Sequence, residues 1–274
     1  MDASFDSIPH SELLKPVARR AVDRNVLRLI KLWLKAPIEE RDKDGTRRMS
    51  GGKGNKCGSA PLKCGAASPS LANIYMNRYL KYWRLSGRGE AFRAHVVAYA
   101  DDFVILSRGH AAEALAWTKA VMTKLGLTIN EAKTSLKDAR KERFDFLGYS
   151  FGPHCYKGTG KWYLSASPSK KSMQRFKAKT GNFLVPANTE PWPEVLGKLN
   201  SMLQGWSNYF CHGTRRAAYR AIDSYVYERV RDFLARRHKV AGRGTRRFSC
   251  EAVYGMGLLR LERLPLNVPP CALP

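Results

Sequence analysis

HVVAYADDFVILS, residues 95–107, consists of two apolar, β-rich runs, HVVAY and FVILS, separated by Ala100-Asp101-Asp102. Val, Ile, Tyr and Phe favour extended backbone and Asp suits a turn, so the stretch reads as a tight β-hairpin with two adjacent carboxylates at its apex. Carboxylates in that place are held rigidly at one end of a sheet, above strands that exclude water. Mg²⁺ takes hard oxygen ligands, and a pair of such ions can stabilise both the attacking hydroxyl and the leaving pyrophosphate of an in-line nucleotidyl transfer. A lone Asp-Asp is most often a polar turn and nothing more. The apolar strands on both sides make this one far more specific.

The flanking sequence supplies the rest of an α+β domain. Apolar residues recur at helical spacing from Ser11 to Lys35, with Pro37 ending the pattern, and this predicts one long helix. Residues 41–65 are rich in Gly, Lys and Arg without periodicity and read as a basic loop. A second helix starts near Ser70 with Leu71, Ile74, Tyr75, Tyr79 and Trp83 on one side. After the hairpin come a helix over Ala111–Leu125, a short strand at Leu127–Ile129, and strands at Phe144–Phe151 and Lys161–Ala166. Beyond Pro168 only helical patterns remain, at 168–182, 193–210 and 214–238. A domain boundary is therefore expected near residue 167, between a mixed α+β part and an all-α part.

The 274 residues include 44% hydrophobic side chains, enough for a buried core, yet 48 Lys and Arg face only 23 Asp and Glu, a net charge of +25. Such a balance points to a polyanion, since neutralising phosphates releases condensed counterions. No run is apolar and long enough for a membrane span. The start, MDASFDSIPH, lacks the basic and apolar regions of an export signal, which points to the cytoplasm. Cysteines at 57, 64, 155, 211, 250 and 271 lack paired spacing and read as reduced thiols. Neither a helix-turn-helix nor a zinc pattern stands out, which disfavours a DNA-binding regulator.

AYADDFVILS resembles the palm motif of group II intron reverse transcriptases, and the neighbouring segments agree with that family in order. FDSIPHSELL at 5–14 is similar to the family's first palm motif, and SPSLANIYMN at 68–77 to its SPLLANIYL helix. LGLTINEAKT at 125–134 resembles the motif after the catalytic turn, and RFDFLGYSF at 143–151 the primer-gripping strand pair. LQGWSNYF at 203–210 resembles the GWxNYF element of the maturase-specific domain and is followed by the basic helix YVYERVRDFLARRHK. The resemblance implies a reverse-transcriptase-like palm with an antiparallel sheet and helices over residues 1–167, then an all-α thumb and maturase bundle over 168–274. It implies that Asp101 and Asp102 bind catalytic Mg²⁺, two ions in all, and that Lys133 lies near the incoming triphosphate as a charge stabiliser or proton donor. Phe5 would be the aromatic gate against a ribose 2′-hydroxyl, with Tyr99 and Gly65 also at the nucleotide. Leu147, Gly148 and Tyr149 would support the primer terminus. The implied partners are group II intron RNA, a template–primer and deoxynucleoside triphosphates.

Two departures from the family bear on catalysis. The family's other metal-binding aspartate stands five residues before the aromatic gate, a place that would precede Met1, as would the fingers; Asp2 is three residues from Phe5 and so on the wrong face of a strand. The family's Gly-Thr-Pro-Gln-Gly-Gly loop is replaced by Ala60-Pro61-Leu62-Lys63-Cys64-Gly65, and neither Leu62 nor Cys64 reproduces a glutamine's hydrogen bonding or a glycine's freedom. A truncated copy with impaired polymerase activity is the expectation, and its alternative is a non-catalytic RNA-binding remnant or splicing cofactor.

Residues 155–274 carry 21 Lys and Arg against 7 Asp and Glu. Arg215, Arg216, Arg220, Arg229, Arg236, Arg237 and Lys239 lie on or beside one predicted helix, with aromatic residues between them that mostly read as bundle core. These cations are the expected RNA-binding set, suited to the phosphates and 2′-hydroxyls of a folded RNA.

Overall fold

The computed structural model describes residues 3–4, 10–35, 38–41, 47–50, 68–100, 102–156 and 158–265. It is mixed helix and antiparallel sheet, in two compact units, Met1–Leu136 and Lys137–Pro274. Among the described residues no helix is long and apolar enough to cross a membrane.

The first unit contains β1 (Ala3–Ser4), α1 (His10–Ala18), α2 (Arg24–Lys35), β2 (Ile38–Arg41), β3 (Arg47–Ser50), α3 (Ser68–Leu85), α4 (Arg88–Ala91), β4 (Ala94–Tyr99), β5 (Asp102–Ser107), α5 (Ala111–Lys124) and β6 (Thr128–Ile129). Its core follows from period alone. On α3, Leu71, Tyr75, Tyr79 and Trp83 recur every fourth residue and are buried, and on α5 Ala114, Thr118 and Met122 do the same. Burial leaves the two tyrosine hydroxyls in need of partners: Tyr75 donates to the Leu125 carbonyl at 2.5 Å, and Tyr79 shares a 3.1 Å hydrogen bond with Thr118 Oγ1. Burial also pushes the Tyr79 hydroxyl pKa up to about 12.

Two readings of this region change. The single helix expected over 11–35 is broken at residues 19–23. Asp23 caps the second piece, its carboxylate accepting from Asn25 N at 2.7 Å and its carbonyl from Leu27 N at 3.1 Å. An Asp at an N-cap starts a new helix more readily than it continues an old one. Within the loop expected over 41–65, Arg41 ends β2 and Arg47–Ser50 form β3, the two pairing from Ile38↔Ser50 to Arg41↔Arg47.

The second unit runs β7 (Phe144–Phe146), β8 (Tyr149–Cys155), β9 (Trp162–Pro168), α6 (Lys170–Phe183), α7 (Trp192–Tyr209), α8 (Arg216–Arg237), α9 (Cys250–Gly255) and a short 3-10 helix at Leu261–Arg263. The three long helices match the expected segments closely. Ser169 opens α6 by accepting from Ser172 N at 3.2 Å. Leu199 and Leu203 of α7 and Ile222, Val226, Val230 and Leu234 of α8, each at most 1% exposed, share one core. Asp223 is buried in α8 yet satisfied, accepting from Leu261 N and Glu262 N at 2.9 Å each. It thereby holds the short 3-10 helix to α8, and burial raises its carboxyl pKa above the ordinary value.

The strand expected over 144–151 is two strands. β7 and β8 pair from Phe144↔Phe151 to Phe146↔Tyr149, and the turn residues Leu147 and Gly148 have φ of 49° and 80°. Two successive positive φ values make the tight turn whose twist suits a hairpin. The packing also divides the chain earlier than the change of composition near 167. β7–β9 join the helices because Tyr149 lies with its ring 4.9 Å from Phe210 and because Thr214 N donates to the Ala166 carbonyl at 2.7 Å.

Candidate active site and nucleic-acid interface

β4 and β5 form the expected hairpin, in register from Ala94↔Ser107 to Tyr99↔Asp102. Ala100 begins the turn at φ 52°, a left-handed conformation costing a side-chain-bearing residue about 1–2 kcal/mol. The hairpin is anchored from below. Phe103 is 0% exposed, 5.6 Å ring to ring from Tyr79, while Tyr99 and Asp102 face solvent at the tip. Alternation along β5 thus buries the ring and exposes the neighbouring carboxylate. Asp101, Phe5 and Gly65 lie outside the described residues. Lys133 ends a short 3-10 helix, Glu131–Lys133, just after β6.

Beside the tip lies a groove of about 390 Å³ lined by Arg20, Asn73, Asn77, Leu80, Ala98 and Ala100 among others. It brings a cation and two amides, from the end of α1 and from α3, next to the hairpin. Nothing in the local sequence around Arg20 or Asn73 signals this, because the three segments meet only in the fold. Among the described residues no group of three or more His, Cys, Asp or Glu could hold a metal ion. Of the expected Mg²⁺ pair, Asp102 is among the described residues and its side chain is exposed at the hairpin tip.

In the second unit, the residues expected at the primer are held together at the β7–β8 turn. The Leu147 carbonyl accepts from Tyr209 OH at 2.8 Å, and the Gly148 carbonyl accepts from Ser172 Oγ and Ser169 N at 2.9 Å each. Tyr149 OH donates to the Tyr209 carbonyl at 2.6 Å, and burial pushes its pKa up to about 12. A Cβ on Gly148 would meet Ser172 Oγ at 2.9 Å, so position 148 needs glycine for space as well as for its positive φ. The turn is a rigid point of display, fixed from α6 and from the end of α7.

The seven cations expected to bind RNA separate into three groups. Arg215 is 6% exposed, its guanidinium donating to the Cys211 carbonyl at 2.6 Å and the Pro265 carbonyl at 3.2 Å and lying 5.3 Å from the Tyr219 ring. Arg229 donates to Gly181 O at 3.3 Å, and Arg237 to the carbonyls of Glu190 and Thr189 at 2.6 and 3.1 Å. These three tie the bundle together; Arg215 in particular is no surface phosphate ligand. Arg220 pairs with Glu262 at 2.5 Å in the open. Arg216, Arg236 and Lys239 are exposed at the ends of α8, Lys239 at φ 49° just past its C-terminus.

A second cationic surface was not among the sequence expectations. α6, KKSMQRFKAKTGNF, buries Phe176, Thr180 and Gly181 and turns Lys170, Lys171, Arg175 and Lys179 to solvent. No Asp or Glu stands between Asp145 and Glu190, so nothing nearby in the chain neutralises it. The signal was available: spacing of three or four residues puts Lys171, Arg175 and Lys179 on one helix face.

A family model described as reverse transcriptase (RNA-dependent DNA polymerase) matches residues 1–151, and one described as group II intron, maturase-specific domain matches residues 173–249. A search of curated proteins gives no match.

Proposed function

Since the chain belongs to the reverse transcriptase (RNA-dependent DNA polymerase) family and carries a group II intron maturase-specific domain, we propose that it binds intron RNA through its second unit and supports splicing. The observation carrying this reading is the acid-free α6 face, with Lys170, Lys171, Arg175 and Lys179 exposed and no carboxylate between residues 145 and 190. A helix that reads folded RNA needs contacts to phosphates and 2′-hydroxyls rather than to base edges. The exposed Arg216, Arg236 and Lys239 of α8 add to the same charge. Binding of a structured intron RNA should therefore weaken steeply with salt: six to ten phosphate contacts would lose about 10³–10⁵ in affinity between about 50 and 200 mM. Filter binding across a salt series measures the slope, and salt-independent affinity would refute the proposal.

In the same proposal Asp101 and Asp102 are Mg²⁺ ligands, and template–primer and deoxynucleoside triphosphates are the substrates of a weakened polymerase. Leu62 and Cys64, which stand where the family has a glutamine and a glycine, support the weakening. Primer extension on an RNA template is expected to be slight with either Mg²⁺ or Mn²⁺. Robust extension that disappears in Asp101→Ala would show an active palm instead.

A further inference from the structure

α8 ends at Arg237, and the chain then folds back onto its last turns. Val240 N donates to the Ala235 carbonyl at 2.9 Å, and Gly242 and Gly244 take φ of 73° and 66°. Gly244 is buried, and a Cβ there would meet the Ala235 Cβ at 2.8 Å. Phe248 is 3% exposed; its N donates to the Gly244 carbonyl at 2.9 Å and its carbonyl accepts from Tyr227 OH at 3.1 Å. Its ring lies 5.6 Å from that of His238 and 5.8 Å from the Arg247 guanidinium. The loop is thus pinned to α8 at Val240, Gly244 and Phe248.

The residues that stand beside these anchors are cationic. Arg243, Arg246 and Arg247 are exposed, and so are Arg236 and Lys239 just before them. No Asp or Glu stands between Asp232 and Glu251 in the chain. Asp232 itself pairs with Arg231 at 3.0 Å, and Glu251 occupies the first turn of α9, where a helix N-terminus favours an acid. Arg236 and Lys239 are explained by the helix C-terminus, whose dipole they offset. That account does not reach Arg243, Arg246 and Arg247, which no longer belong to the helix. Like charges gathered on a pinned loop repel one another, and a polyanion relieves the repulsion.

Stable attachment to a membrane takes an apolar anchor besides a basic patch, and here Phe248 is buried and Val240 half-buried. A guanidinium offers a planar fork that takes a phosphate through two N–H groups. A folded RNA helix presents phosphates at fixed spacing, which a loop already rigid can meet with little ordering lost. We propose that the 243–247 loop binds the phosphate backbone of a folded RNA helix, with Arg243, Arg246 and Arg247 as the phosphate ligands. The site rests on the reading of the second unit as RNA-binding and adds to it a contact separate in sequence from the α6 face.

The test titrates the full chain with a labelled RNA hairpin of about 16 base pairs across a salt series, and in parallel with phosphatidylglycerol vesicles. Arg243→Ala/Arg246→Ala/Arg247→Ala is expected to weaken hairpin binding about tenfold or more and to lower the salt slope by about two to three units. Far-UV circular dichroism should be unchanged, because the anchors Gly244 and Phe248 remain. The corresponding triple Lys variant keeps the charge but not the fork, so it should retain the slope and lose less affinity. Unaltered affinity and slope in the Ala variant overturn the proposal, as does a Lys variant that loses as much slope as the Ala variant. So does vesicle binding that the Ala variant abolishes while hairpin binding stays as before, since the loop would then be a lipid contact. If Lys171→Glu/Arg175→Glu/Lys179→Glu loses hairpin affinity and the loop variant does not, the loop proposal falls and the RNA-binding reading stands. No hairpin binding by the unsubstituted chain at low salt refutes that reading itself, and the loop proposal with it.

Discussion

Reversing three charges on α6, in the variant Lys171→Glu/Arg175→Glu/Lys179→Glu, is expected to lower affinity for structured RNA on the order of 100-fold at low salt. It should also flatten the salt dependence, by about one unit of slope for each phosphate contact removed. All three side chains are exposed, and the buried side of the helix, Phe176, Thr180 and Gly181, is untouched. Far-UV circular dichroism should therefore be unchanged, which separates lost binding from lost folding. Changing Arg215 instead would give the opposite combination. Its buried guanidinium bonds two backbone carbonyls, so a loss of RNA binding there would accompany a loss of stability. Retained affinity with an unaltered salt slope in the α6 variant would remove this helix from the interface.

Phe103→Ala is expected to destabilise the first unit by about 3–5 kcal/mol, the usual cost of emptying a fully buried aromatic site. The ring is 0% exposed and packs against Tyr79, whose own ring lies 6.3 Å from Trp117. The cavity would open directly beneath Asp102, so the consequence is chemical as well as structural, since a carboxylate is held only as firmly as the strand that carries it. Hydrogen exchange read by mass spectrometry would show amides of β4 and β5 losing protection while α7 and α8 keep theirs. A destabilisation below about 1 kcal/mol would mean that the site collapses to fill the space.

Much of the fold was legible because the signals are local. The apolar runs HVVAY and FVILS on either side of Asp-Asp marked the hairpin, and Leu71, Tyr75, Tyr79 and Trp83 marked the face of α3 that became core. Misreadings arose where one residue outweighs a pattern. Asp23 interrupts an apolar period that runs on through it, and Leu147 takes a left-handed conformation that a leucine gives no reason to expect. That conformation is sustained from a distance, by Tyr209, which comes from another element altogether. The α6 face is legible too, since Lys171, Arg175 and Lys179 recur at helical spacing with no acid among them.

The sequence by itself determined the hairpin, the succession of helices, the family motifs and the sign of the surface charge, since each depends on composition or on period within a few turns. Only the tertiary structure decided which cations face water. Arg215 and Arg229 look the same in sequence as Arg216 and Arg236, but their guanidinium groups meet carbonyls 50 and 48 residues away. A buried carbonyl takes whatever donor the packing brings to it, and a local pattern carries no record of that choice.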